Sequence, residues 1–286
     1  MSEKTDLLTI GGHTFTSRFI LGSGKYSYDL IDSAINQAKA QIITMALRRT
    51  NSAKENILNY IPEGITILPN TSGSTTADEA IRTARLAREI SGSDFIKLEV
   101  VPDKKYLMPD NAETVKATEV LANEGFIVMP YILPDLNTAR QLVDAGAATV
   151  MPLAAPIGTN QGLATKALIQ ILIDEINVPV IIDAGIGRPS EAAEAMEMGA
   201  DAIMANTSMA TAKNIPLMAE AFRLGVEAGR KAYLAGPGRI IERGAVASSP
   251  LAGVSKWFGR PTNGWPLNDI FSKSFSSPLK LWVKTG

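Results

Sequence analysis

Eight short β-branched runs alternate with longer helical patterns along this chain, and few folds accept that rhythm. The runs cover residues 18–22, 42–47, 66–70, 95–100, 126–131, 149–153, 178–184 and 202–206. Several are apolar at consecutive positions, as strands of a parallel sheet covered on both faces must be. The stretches between them are amphipathic. In 76–90, Ala80, Ile81, Ala84, Leu86 and Ala87 are assigned to one stripe, with Arg82, Arg85, Arg88 and Glu89 largely outside it. The stretch 190–198 is similar, with Ser190 as the expected N-cap and Gly199 as the stop. Residues 162–176 and 217–233 read as helices by the same rules. Eight β-then-α units over roughly 220 residues is the count of a (β/α)8 TIM barrel. A doubly wound open sheet would carry a three-glycine fingerprint after its first strand. Here that turn reads Leu21-Gly-Ser-Gly-Lys-Tyr26, which lacks the third glycine.

Composition narrows the function. The chain has 286 residues, with Lys+Arg 28 against Asp+Glu 29, a formal charge of −1. A nucleic-acid binder would be clearly basic, so no nucleic-acid partner is expected. There is no cysteine, which excludes disulfides, thiolate nucleophiles and Cys-ligated metal centres. The single histidine, His13, excludes an HExxH site. No metal and no cofactor is expected. The first residues lack the form of a signal peptide, and no apolar run approaches the ~20 residues of a membrane span. A cytoplasmic protein is the expectation, with no membrane partner.

Residues 1–250 are read as the barrel and 251–286 as a C-terminal extension. Before the first run, Leu7–Phe15 alternates around Gly11-Gly12, the signature of an N-terminal β-hairpin that caps the barrel bottom. His13 sits in that hairpin and is read as structural, because chemistry belongs at the opposite end. The segment 236–286 holds all three tryptophans, with seven basic residues against two acidic ones. It reads as a wrapping tail or a partly disordered one.

Chemistry in such a barrel lies at the C-terminal ends of the strands. The fourth run ends Ile96-Lys97-Leu98-Glu99-Val100, and alternation turns Lys97 and Glu99 inward. The pair is either a structural ion pair or an imine-forming lysine with a carboxylate proton shuttle. Desolvation would lower the lysine pKa and an ionised Glu99 would raise it. The seventh run ends Ile182-Asp183-Ala184-Gly185-Ile186-Gly187, and the eighth Ala205-Asn206-Thr207-Ser208. These are loops whose N–H groups suit an anion, at the positions where this fold binds phosphate, unless they are ordinary turns. Gly158, in the loop after the sixth run, can present its N–H to the same group. Arg48-Arg49 and Asn70-Thr71 end the second and third runs. They are read as holding anionic or hydroxyl groups of a substrate, with a solvated or intersubunit salt bridge as the alternative for the arginines.

Taken together, Leu21-Gly-Ser-Gly-Lys-Tyr26, Ala46-Leu-Arg-Arg49, Leu68-Pro-Asn-Thr71, Lys97-Leu-Glu99, Met151–Gly162, Asp183-Ala-Gly-Ile-Gly187, Asn206-Thr207 and Glu227-Ala-Gly-Arg230 resemble the thiazole synthase family of thiamine biosynthesis. The resemblance runs in order from about Leu7 to about Leu251. Ala154 stands where the family usually has glycine. The resemblance implies a barrel that condenses 1-deoxy-D-xylulose 5-phosphate, 2-iminoacetate and sulfur, the sulfur arriving as a thiocarboxylate on the C-terminus of a sulfur carrier protein. It implies that Lys97 forms an imine with the sugar ketone, that Glu99 and Asp183 act as acid and base, and that Gly158, Ala184, Gly185, Asn206 and Thr207 hold the sugar phosphate. It also implies a homo-oligomer, a dimer or tetramer. A Schiff-base aldolase-type lyase, a barrel binding flavin mononucleotide and a non-catalytic binding barrel are the competing readings of the same residues.

Overall fold

A computed structural model describes residues 6–22, 27–46 and 61–240. The chain divides into a unit of Met1–Pro237 and a second of Gly238–Gly286. The expected extension 251–286 lies outside the described residues.

A two-stranded antiparallel hairpin comes first, β1 (Leu8–Ile10) with β2 (His13–Phe15). Its turn, Gly11-Gly12, has both φ values positive, at 55° and 84°. A side chain on Gly11 would also press against Ile127, with its Cβ 2.6 Å from a methyl. Glycine is therefore required there twice over.

The eight expected strands follow: β3 (Phe19–Leu21), β4 (Ile42–Ala46), β5 (Thr66–Asn70), β6 (Phe95–Leu98), β7 (Ile127–Ile132), β8 (Met151–Pro152), β9 (Ile181–Ile182) and β10 (Ala202–Ala205). They pair in parallel in the order β8-β7-β6-β5-β4-β3-β10-β9. Bridges Val150–Val180 and Leu153–Asp183 join the two ends, which closes the sheet into a barrel. Closure removes the sheet edges. The described helices are α1 (Tyr28–Asn36), α2 (Ala77–Ser91), α3 (Asn111–Asn123), α4 (Leu136–Asp144), α5 (Lys166–Glu175), α6 (Pro189–Glu197), α7 (Thr207–Ala210) and α8 (Ile215–Ala235). Among the described residues no helix is long and apolar enough to cross a membrane.

The barrel interior is built in layers. Ile20, Ile42, Leu68, Phe95, Met129, Met151, Ile181 and Met204 form one buried cluster, with a side chain from every strand. Leu8, Ile10 and Phe15 of the hairpin belong to the same cluster and plug the barrel from below. His13 sets its ring edge-on to Phe95, with centroids 5.1 Å apart. That contact is at the start of β6, two residues before Lys97 in the upper layer. Outward residues meet the helices: Ile96, Leu98 and Val100 pack with Ala80, Ala84 and Ala87 of α2 and with Leu121 of α3.

Three local expectations need correction. Leu86 is 56% exposed, while Ala77, Ala80, Ile81, Ala84 and Ala87 are buried. At 100° per residue, position 86 falls away from the stripe centred on 80, 84 and 87. Ser190 is not an N-cap. Pro189 begins α6 and Arg188 precedes it, because proline has no N–H to lose and its φ already suits a helix. The Glu191 carboxylate accepts from the N–H groups of Gly187 and Arg188 at 2.8 and 3.0 Å. Helix α5 begins at Lys166 rather than near 162, since Gly162 has φ 75° and its N–H donates to the carbonyl of Gly185.

Ile10 is fully buried in the plug and far from the strand ends that carry charge. Ile10→Ala is expected to lose about 2–5 kcal/mol in a denaturant titration.

Candidate active site

Parallel β6 places Lys97 one layer above Phe95, facing inward. Its Nζ lies 2.7 Å from Asp183 Oδ2 and 3.1 Å from Glu99 Oε1. The three side chains are only 6%, 7% and 5% exposed for Lys97, Glu99 and Asp183. A cation and two carboxylates thus share a buried space, with a formal charge of −1. Burial pushes the Lys97 pKa down, but the charges and hydrogen bonds of Asp183 and Glu99 outweigh it and hold it above the ordinary lysine range. The resting lysine is an ammonium. A lysine raised in the folded state stabilises the fold fully below its unfolded pKa of about 10.4 and loses that contribution as pH rises through the folded value.

Backbone contacts hold each carboxylate in place. Beyond the end of β6, Thr71 Oγ1 donates to the carbonyl of Glu99 at 2.7 Å and accepts from its N–H at 2.8 Å. Thr71 is fully buried. Its hydroxyl is spent on the Glu99 main chain, so it is a positioning residue and not the substrate contact expected from its place after β5. Neighbouring Asn70 pairs with Lys97 across the sheet and is also buried. Asp183 follows β9 at the barrel seam. Its N–H donates to the carbonyl of Pro152 at 3.1 Å, and its carbonyl accepts from Ala154 at 2.9 Å.

Above the triad, three loops converge. Ala184 and Gly185 have φ of 60° and 80°. A Cβ on Gly185 would lie 2.5 Å from Ala155 Cβ and 2.6 Å from Ala155 N. Gly158 has φ 80° and approaches Thr207. The Asn206 side chain donates to the carbonyl of Gly22 at 2.7 Å, tying β10 to β3. Among the described residues, the N–H groups of Gly158, Ala184, Gly185 and Thr207 donate to no protein acceptor. Clustered free N–H groups are what an oxyanion or phosphate takes up. Ala154 does not have a positive φ, so alanine is tolerated where the resemblance leads one to expect glycine.

The residues expected to act as acid, base and amine or to hold phosphate open onto one cavity of about 790 Å³: Lys97, Glu99 and Asp183 with Gly158, Ala184, Gly185, Asn206 and Thr207. Asn70 and Thr71 do not line it. Arg48 and Arg49 lie outside the described residues, as do 23–26 of the first turn. Sequence reasoning missed Ser72, Thr75, Glu79 and Lys104, which line the same cavity from the loops after β5 and β6 and from α2. It also missed Tyr131, fully buried, with its ring centroid 5.5 Å from Lys97 Nζ. The signal was available: Met129 and Tyr131 share a face of β7 by alternation.

The Glu227-Ala-Gly-Arg230 motif lies elsewhere. Arg230 donates to Asp6 at 2.8 Å, and Asp6 also pairs with buried Arg18 at 2.9 Å. These residues line a second cavity of about 420 Å³ beside the start of β3. Gly229 packs directly against the carbonyl of Ala193, where a Cβ would collide. The motif binds α8 to α6 and to the segment before β1.

A closed parallel barrel with a buried lysine between two carboxylates, under a mouth of free N–H groups, has the build of a (β/α)8 enzyme. The family model "Thiazole biosynthesis protein ThiG" matches residues 9–250, and the chain belongs to that family, the thiazole synthases. It is thereby an enzyme of thiamine thiazole formation, a sulfur-transferring reaction. Thiazole synthase of Clostridium beijerinckii is 64% identical over 251 residues, covering 87% of this chain and 98% of that one. Thiazole synthase of Fusobacterium nucleatum is 65% identical over 249 residues, covering 87% and 97%. Among solved structures, the Amycolatopsis orientalis BexX/CysO complex matches at 35% identity and TM-score 0.75, covering 82% of this chain and 98% of that one. A mandelate oxidase at 15% identity and TM-score 0.56 shares the fold alone. Family membership sets aside the aldolase-type, flavin and non-catalytic readings.

Two outcomes follow from this geometry. Gly185→Ala is expected to destabilise the protein by about 2–4 kcal/mol through overlap and left-handed strain, and to abolish phosphate-ester binding measured by calorimetry. Lys97→Ala leaves two buried carboxylates facing each other. It is expected to lose about 3–5 kcal/mol, as a denaturant titration beside the wild type would show.

Proposed function

We propose that Lys97 forms an imine with the ketone of 1-deoxy-D-xylulose 5-phosphate and that the barrel assembles the thiazole phosphate carboxylate from that adduct. The supporting observation is a lysine 2.7 and 3.1 Å from two carboxylates, beneath free N–H groups, in one cavity. The N–H groups of Gly158, Ala184, Gly185 and Thr207 hold the phosphate, with Asn206 fixing their loop to the first strand.

The chemistry runs through the triad. Lys97 starts as an ammonium, so one of its carboxylates, Asp183 at 2.7 Å or Glu99 at 3.1 Å, first takes its proton. The free amine attacks the ketone, and the same proton leaves with the departing hydroxyl as water. The iminium acidifies the adjacent C–H, and a carboxylate removes that proton and returns it further along, which moves the carbonyl to C3. Sulfur adds there, delivered as a thiocarboxylate on the C-terminus of a sulfur carrier protein. Condensation with 2-iminoacetate and loss of water complete the ring, and each departing hydroxyl needs a proton from Glu99 or Asp183. Lysine and carboxylates cover every transfer, so the chain needs no cysteine or histidine in the site. A relative solved in complex with a second protein, CysO, supports a protein partner for the sulfur step.

The test is intact-protein mass spectrometry after incubation with the sugar phosphate and borohydride. One reduced sugar-phosphate adduct is expected on the wild type and none on Lys97→Ala or Lys97→Arg. Absence of the adduct on wild-type protein that binds the sugar phosphate would overturn the imine. Because Lys97 is held as an ammonium and its proton passes only to a carboxylate of the same site, adduct formation under subsaturating sugar should stay within about twofold from pH 7 to 9, read by stopped trapping.

A further inference from the structure

We infer that the ring of Tyr131 is a positioning residue for Lys97, holding the positive charge on its nitrogen while the imine forms. The inference rests on the imine proposed above and deepens it. Among the described residues, Lys97 Nζ meets the carboxylates of Asp183 and Glu99, and the Tyr131 ring with its centroid 5.5 Å away. That distance lies within the range at which a ring quadrupole attracts a cation, and the attraction grows when water is excluded. Tyr131 is fully buried, and the Lys97 side chain is 6% exposed.

The reason for a third partner lies in the proton bookkeeping. As water leaves the carbinolamine, the carbon–oxygen bond breaks and the nitrogen lone pair forms the C=N bond. The nitrogen becomes cationic while a carboxyl group is still giving up the proton that turns hydroxyl into water. At that moment one of the two carboxylates is not yet an anion. The iminium then has one full counter-charge among side chains that are only 5–7% exposed. The resting ammonium meets the ring beneath a mouth open to water, whereas the iminium meets it with the sugar phosphate filling that mouth, so the attraction is stronger during the step than before it.

The phenol supports this division of labour. Its oxygen is buried and has no hydrogen-bond partner among the described residues. Burial first, and then Asp183 and Glu99, push its ionisation far above the ordinary tyrosine range. It stays a neutral phenol at every working pH and does not compete for the triad's protons. Surrounding packing fixes the ring: Tyr131 clusters with buried Val101 and Leu153, with Leu107, Ile157 and Ala184 packed against them. These residues come from the loops after β6, β8 and β9, so the ring is clamped by the same loops that form the mouth.

The experiment compares Tyr131→Phe, Tyr131→Leu and Tyr131 replaced by phenylalanine carrying one, two or three ring fluorines, which weaken the quadrupole at nearly constant volume. The readout is the rate of borohydride-trapped adduct with 1-deoxy-D-xylulose 5-phosphate, beside a thermal melt and sugar-phosphate affinity. Tyr131→Phe should trap within twofold of wild type and melt no lower, because it removes a hydroxyl that has no partner among the described residues. Tyr131→Leu should trap about tenfold more slowly, the size of a desolvated cation–π contact. The fluorinated series should fall stepwise in log rate with each fluorine, at constant affinity and melting point. A flat fluorinated series would overturn the inference while leaving the imine standing, even if the leucine variant fails to fold. An equal loss in Tyr131→Phe and Tyr131→Leu would also overturn it, by moving the effect to the hydroxyl. No adduct on the wild type would instead sink the imine itself.

Discussion

A lysine ammonium buried between two carboxylates sets the terms for the rest of this barrel. Separately, each charge would be expelled from such a space, since moving an ion out of water costs several kcal/mol after relaxation. Together they are tolerated because each is held by main chain as well as by its partners. Thr71 grips the peptide of Glu99 on one side, and the Pro152–Ala154 strand grips the peptide of Asp183 on the other. The lower layer gives this arrangement a floor. Eight strands each send one apolar side chain to it, and the hairpin seals it against water from below. A site that must be dry at its base and open at its mouth is thereby produced by one alternation of residues along parallel strands.

Much of this was legible in the sequence, and the limits of legibility have physical causes. The inward direction of Lys97 and Glu99 follows from period two alone, and Ile96, Leu98 and Val100 meet the helices as that period requires. The loops at Asp183-Ala-Gly and Asn206-Thr207 announce themselves by small residues at the ends of the seventh and eighth strands. Asp183 as the partner of Lys97 does not. The two are 86 positions apart, and only the resemblance paired their roles before the closed sheet put them at contact distance. Thr71 looked like a substrate contact because a buried hydroxyl and an exposed one are written with the same letter. The direction of the lysine shift was unreadable for a similar reason. Burial and charge act on it in opposite directions, and the second carboxylate that raises it, Asp183, comes from a strand far along the chain.

The smaller misreadings share one origin, local pattern read without its neighbours. Leu86 is a good apolar residue one position away from the buried face. Ser190 is a good cap that proline at position 189 leaves inside the helix. Glu227-Ala-Gly-Arg230 belongs to the resemblance as firmly as the catalytic motifs, yet it serves the far end of the molecule. There Arg230 and Arg18 share Asp6 and Gly229 lets two helices touch.

The seam between β8 and β9 carries one more consequence. Each of these strands is two residues long, and the closing bridge beyond them pairs Leu153 with Asp183 itself. Shifting a strand's register by one residue turns every side chain to the other face. A sheet sealed one step out would turn the carboxylate toward the helices and offer the lysine an isoleucine or an alanine instead. Closure and competence are thus a single event in this molecule. The bridge that seals the sheet is also what sets Asp183 against Lys97.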